Sequence, residues 1–164
     1  MRGLLAIDPG LGSTGWAYWP RYDDKIIGPK YFGLLRNDCV GVWWTRAFHQ
    51  GVSLLEEIPA KKDMEVICEM PIFFASGAVG HAAASTDSLQ KLCFLVGVFG
   101  EAIRHGTLRT RFSPVYVRDW KGQLPKEIVE LRIKHLLGAS ACVGFKLDIW
   151  DAVGIGLHAK GVII

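Results

Sequence analysis

Four acidic residues stand where a carboxylate could do chemistry: Asp8, Glu69, Asp148 and Asp151. Asp8 ends the apolar run Gly3-Leu4-Leu5-Ala6-Ile7 and precedes Pro9-Gly10, and Glu69 ends the run Val66-Ile67-Cys68. Asp148 and Asp151 lie three residues apart at the start of a helical pattern, so both project from one face. Each has an ordinary structural explanation. An Asx turn accounts for Asp8, the exit of a strand into solvent for Glu69, and a cap favoured by the helix dipole for one of the later aspartates. Their joint occurrence is harder to explain that way, because two strand ends and one helix start each deliver carboxylates, and a parallel arrangement could bring those ends together. Crowded carboxylates repel and raise one another's pKa unless a cation neutralises them. Mg²⁺ suits such a set, since it takes oxygen ligands, keeps several waters and prefers a few carboxylates plus substrate phosphate oxygens. Two such ions about 4 Å apart activate a water and stabilise a leaving 3′-oxygen in phosphodiester hydrolysis.

The elements that must position these acids are legible from periodicity and punctuation. Gly3 to Asp8 and Gly15 to Trp19 read as strands joined by a tight turn, and Lys25 to Arg36 as a third strand closing an antiparallel meander. Trp44, Ala47, Phe48, Val52, Leu55 and Ile58 recur at helical spacing before Pro59, predicting a helix with one apolar face. Met64 to Cys68 returns to strand, and a helix followed by a strand implies a crossover to a parallel neighbour. Asp87 can cap a second helix whose stripe is Leu89, Leu92, Cys93, Val96, Phe99 and Ile103. A fifth strand over Arg111 to Val117 and helices over Pro125 to Leu137 and Asp148 to Lys160 complete the order βββαβαβαα. The fold class is α/β: a mixed five-stranded sheet, three antiparallel strands then two parallel, flanked by helices.

Composition narrows the function. The 164 residues, 50% hydrophobic and 21% charged, fit one domain spanning 1–164 and exclude disorder. No apolar run reaches the ~20 residues of a membrane span, and the N-terminal run is shorter than a signal peptide's apolar region, so no membrane association is expected and a cytoplasmic location is. The net charge of +3 hides an asymmetry. Arg104 to Lys134 holds eight Lys or Arg against three acids, a segment of +5 against −2 for the rest, which reads either as a solvated face or as a phosphate-binding strip. Cys39, Cys68, Cys93 and Cys142 have no C-x-x-C spacing and read as reduced core residues. Gly10 to Gly15 satisfies G-x-G-x-x-G, yet that fingerprint needs a helix at once, whereas Trp16-Ala17-Tyr18-Trp19 favours strand. The glycines are therefore read as a hairpin turn, and no nucleotide cofactor is expected.

With these residues in view a resemblance is plain. Ile7-Asp8-Pro9-Gly10 with Thr14-Gly15-Trp16 is similar to the opening motif of the RuvC family of Holliday-junction resolvases, which have the RNase H-like fold. Glu69 after its strand and Asp148-Ile149-Trp150-Asp151-Ala152 resemble that family's second and third acidic motifs, in order along nearly the whole chain. The resemblance implies a single RNase H-like nuclease domain, with Asp8, Glu69, Asp148 and Asp151 as the catalytic and metal-binding set for two Mg²⁺ ions per active site, Mn²⁺ being a substitute. It also implies a homodimer, for which the Leu89 to Ile103 helix is the candidate interface, and paired nicks in a four-way DNA junction. Arg118-Asp119-Trp120-Lys121-Gly122-Gln123-Leu124-Pro125-Lys126 resembles the junction-facing stretch, giving Lys121, Lys126 and Arg118 a DNA-binding role. Phe73 and Phe74 occupy the region where the family stacks an aromatic on bases, slightly further along than expected. The Trp-Lys-Gly-Gln segment looks like phage-borne relatives, which implies the cytosol of a bacterium or of a phage-infected host. The alternatives are a nuclease of RNA–DNA hybrid or branched DNA and a non-catalytic junction-binding module.

Overall fold

In β1 (Gly3–Asp8) Leu5 and Ile7 face one side of a sheet while Leu4 and Ala6 face the other, and all four are fully buried. A strand apolar on both faces needs cover on both, and that requirement sets the architecture. The computed structural model describes residues 2–22, 28–38, 40–59, 63–71, 87–106 and 109–162. After β1 come β2 (Ser13–Trp19), β3 (Tyr31–Arg36), α1 (Trp43–Glu57), β4 (Met64–Met70), α2 (Ser88–Gly106), β5 (Thr110–Tyr116), α3 (Val117–Trp120), α4 (Lys126–Leu137), a 3-10 turn (Ala139–Cys142) and α5 (Leu147–Ala159).

The sheet order is β3-β2-β1-β4-β5. β1 pairs antiparallel with β2, and β2 with β3, while β1 pairs parallel with β4, and β4 with β5. This is the mixed sheet expected from the sequence, and the stretch after Gly10-Leu11-Gly12 is strand rather than a phosphate-binding helix. α1 and α2 cover the face of Leu5, Ile7, Val66 and Cys68, and α4 and α5 cover the face of Leu4, Ala6, Ala17 and Trp19. The third strand is shorter than Lys25 to Arg36; residues 28–30 are not strand and 25–27 lie outside the described residues. The short α3 and the 3-10 turn, both unforeseen, hold the basic segment and the entrance to α5.

The buried faces of two helices differ from their apolar stripes. α1 buries Ala47, Gln50, Gly51 and Leu54, while Trp44, Phe48 and Val52 are about half exposed, at 48%, 55% and 54%. The reason is close helix packing: a Cβ on Gly51 would meet Val98 Cγ1 at 2.9 Å, so the small side of α1 lies closest to α2, and Phe48 reaches α2 only at the rim, through Phe94. On α2 the buried residues are Leu95, Val96, Val98, Phe99 and Ile103, and Cys93 is exposed rather than in the core. Cys68 and Cys142 are buried and unbonded, and Cys39 lies outside the described residues.

Candidate active site

α5 is the element that brings the distant aspartates to the sheet. Its residues from Ile149 to Leu157 are all buried, and full burial of a side chain such as Ile155 or Leu157 stabilises by roughly 1.5–3 kcal/mol. Small residues let it approach: a Cβ on Gly154 would meet the Trp120 ring at 2.5 Å, and one on Gly156 would strike Trp19. Gly15 does the same from the sheet side. It pairs with Asp8 across β1 and β2, and a Cβ there would run into the Asp148 carbonyl and lie 2.9 Å from Ile149 N. The third motif thus sits directly against the first because β2 carries no side chain at that point.

Asp8 ends β1 and Glu69 lies near the end of its parallel neighbour β4, so both strands present a carboxylate at the same end of the sheet, beyond their carboxyl termini. Burial pushes the Asp8 carboxyl well above the usual carboxylate range, and the charges of Glu69, Asp151 and Asp148 push it further, against the opposing pull of Lys121. Burial raises Glu69 too; the Trp120 indole and the Lys121 and Lys126 ammoniums work against that rise, and Asp151 adds to it. Trp120 Nε1 donates to Glu69 Oε2 at 2.8 Å. Asp148 accepts a hydrogen bond from the Ser13 hydroxyl. Asp151, only 6% exposed, accepts from Lys126 Nζ at 2.7 Å and Lys121 Nζ at 3.3 Å. Desolvation pulls the Lys126 ammonium down, but its bond to Asp151 and the fields of Asp8 and Asp148 leave it above the ordinary lysine range. The Cys68 thiol beneath the cluster is pushed well up by burial, then by Asp8 and Glu69, and stays neutral.

The four predicted acids therefore share one electrostatic neighbourhood, and two of the predicted cations lie in it. Arg118 does not join them: its side chain is exposed and pairs with Asp119 at 3.5 Å. Phe73 and Phe74 lie outside the described residues. Ser13 and Trp120 are contacts that sequence reasoning missed. An indole between Arg118 and Lys121 was a readable signal for Trp120, while Ser13 gave none. Among the described residues no three acidic, histidine or cysteine side chains converge closely enough to cage a metal by themselves. An all-oxygen donor set still suits a hard divalent ion, because Mg²⁺ is held by one or two carboxylates, waters and substrate phosphates rather than by a protein cage.

The sheet order, with helices on both faces, is the RNase H-like fold of RuvC. Two solved structures carry that comparison. RuvC of Thermus thermophilus in complex with a Holliday junction substrate matches with a TM-score of 0.68 at 17% identity, covering 98% of this chain and 94% of that one. A second structure, of Thermus thermophilus RuvC, matches with a TM-score of 0.60 at 17% identity, covering 96% and 93%. No protein-family model matches the sequence, and no curated protein sequence matches it. The likeness is one of fold over nearly the whole chain.

Proposed function

We propose that this chain is a divalent-metal-dependent endodeoxyribonuclease that resolves four-way DNA junctions, with one nuclease domain spanning 1–164. The observation that carries the reading is the meeting of Asp8, Glu69, Asp148 and Asp151 with Lys121 and Lys126 on a fold shared with a protein solved on a Holliday junction. Asp8 and one aspartate of α5 are the residues that would hold Mg²⁺ most directly, with Glu69 completing the set. When bound, a pair of such ions supplies Lewis acidity, an activated water and stabilisation of the leaving oxygen. Lys121 and Lys126 hold the scissile strand by phosphate contacts, which position the backbone without reading bases. Trp120 and Ser13 fix the Glu69 and Asp148 carboxylates by hydrogen bonds.

A four-way junction has two-fold symmetry and needs two equivalent sites, which a C2 homodimer supplies. The exposed aromatic ridge of Trp44, Phe48 and Phe94 on α1 and α2 supports a second copy docking there, with Phe94 in ring contact with Phe48 at 5.8 Å. The test is Mg²⁺-dependent nicking of a synthetic four-way junction by wild type and by Asp8→Asn, Glu69→Gln and Asp151→Asn. Paired nicks lost in all three variants, with junction binding retained, support the proposal. Cutting of RNA–DNA hybrid but not of the junction would reassign the substrate, and binding without cutting would leave only a junction-binding module.

A further inference from the structure

The turn after Asp8 forms one wall of a cavity of about 110 Å³, set between the starts of α1 and α2 and away from the carboxylates. Leu11 comes from the turn, Asn37 from the end of β3, Trp43, Arg46 and Gln50 from α1, and Lys91 from α2. Among the described residues, two cations and no acid line it. Lys91 pairs with Asp87, whose side chain is 65% exposed and stands outside the cavity. Arg46 has no such partner: its Nε is buried and finds no hydrogen-bond acceptor among the described residues. A cavity lined by two cationic side chains and by the amides of Asn37 and Gln50 favours an incoming acceptor that carries negative charge.

The cavity is also tied to the active-site loop. Gln50, 2% exposed, accepts a hydrogen bond from the Thr14 hydroxyl at 2.7 Å, and Thr14 Oγ1 accepts from Gly10 N at 3.2 Å. Asn37 Nδ2 donates to Leu11 O at 2.8 Å. Leu11 follows Asp8 by three residues, so their Cα atoms are at most roughly 11 Å apart, a few nucleotides of strand.

We propose that this cavity is a second phosphate subsite, in which Arg46 and Lys91 receive one phosphodiester group of the DNA strand that continues past the carboxylate cluster. The proposal rests on the reading of the chain as a DNA nuclease. The Arg46 guanidinium and Lys91 Nζ, which both line the cavity, donate to the phosphate oxygens. The Gln50–Thr14–Gly10 chain then couples a strand seated in the cavity to the loop that carries Asp8.

The test compares wild type, Arg46→Gln and Lys91→Gln for binding to a synthetic four-way junction in Ca²⁺ across a salt series, with thermal melting to confirm folding. Loss of one phosphate contact lowers the slope of log K against log salt by about 0.9, and that change is expected in both variants. A scan of single methylphosphonate substitutions on the junction should find a position that weakens wild type and has no further effect on Arg46→Gln. Wild-type affinity and salt slope in both variants would overturn the subsite. Should Arg46→Gln fail to fold, Lys91→Gln decides by the same criterion. Stabilisation of wild type by inorganic phosphate through Arg46, with DNA binding unaltered by either variant, would make the cavity a small-anion site and also overturn the proposal. Failure of wild type itself to bind the junction strikes the nuclease reading instead, so the two failures are distinguishable.

Discussion

Gly15→Ala is the sharpest test of how the site is built. Gly15 lies between two of the four acids: its backbone pairs with Asp8, and its missing side chain leaves room for the entrance of α5 at Asp148 and Ile149. The obstacles to a methyl group there are backbone atoms of the helix, which cannot swing aside as a flexible side chain would. The helix entrance must retreat from β2 by about 1 Å, and a displacement of that order at a catalytic group can cost roughly 10²-fold in rate. Overpacking of this kind also costs about 1–3 kcal/mol, equivalent to roughly 2–12 °C in Tm for a chain of this length. Gly12→Ala is the matched control, because a Cβ at Gly12 meets nothing within 4 Å and its backbone is not in the left-handed region. The assay is single-turnover nicking of a four-way junction with enzyme in excess, alongside junction binding in Ca²⁺. Gly15→Ala is expected to fold, to bind and to cut about two orders of magnitude more slowly, while Gly12→Ala behaves as wild type. A folded Gly15→Ala that cuts at the wild-type rate would refute the claim that this clearance sets the geometry.

The remaining predictions concern charge. Burial and three neighbouring acids raise the Asp8 carboxyl, so the folded state binds its proton more tightly than the unfolded state does. The stability this contributes is full below the ordinary aspartate pKa and disappears as pH rises through the folded value. Asp8→Asn should therefore melt above wild type in EDTA at pH 7.5, by roughly 2–4 °C for each kcal/mol gained, and respond less to Mg²⁺; a lower Tm than wild type contradicts the assignment. Lys126→Met removes the closer of the two ammoniums on Asp151. The buried acceptor is then undersatisfied, at a cost of about 1–3 kcal/mol, and melting in EDTA should fall while added Mg²⁺ restores part of the loss; an unchanged Tm argues against the ion pair. Trp120→Phe removes the N–H that holds Glu69, letting that carboxyl rise further, so the acidic limb of the nicking pH profile should move to higher pH. A limb that stays in place would show that Glu69 does not titrate with activity.

The parts of this architecture fixed by local punctuation were legible in the sequence, and those fixed by packing were not. β1 runs over Gly3–Asp8 as read, because an apolar run bounded by Asp-Pro-Gly has few alternatives. The parallel placement of β4 followed from the intervening helix, and with it came the shared sheet end of Asp8 and Glu69. The apolar stripe of α1 marked the helix but not its buried face: Ala47 and Ile58 are buried while Trp44, Phe48 and Val52 are half exposed, because close approach to α2 requires the small Gly51. The glycines after Asp8 read as a hairpin turn, with Gly15 opening the second strand. Gly15 does lie in β2, and its part as clearance for a helix more than 130 residues later could be seen only once that helix was in place.

The same contrast explains why Asp8 carries the burden of the cluster. Asp151 has two ammoniums, Asp148 has the Ser13 hydroxyl and Glu69 has the Trp120 indole, yet no described side chain donates a hydrogen bond to Asp8. Four carboxylates met by two lysines leave a deficit of two positive charges when all the acids are ionised. In a partly buried site that deficit raises most the pKa of the group with the fewest hydrogen-bond donors, and burial and the neighbouring acids push the Asp8 carboxyl well above the usual carboxylate range. A divalent cation relieves the same deficit without protonation and leaves Asp8 free to act as a ligand. The +5 basic segment read from the sequence thus has two parts. Lys121 and Lys126 are turned inward to Asp151, while Arg118 faces solvent, so the inward pair balances the carboxylates and only the outward residues contribute to a long-range field for DNA.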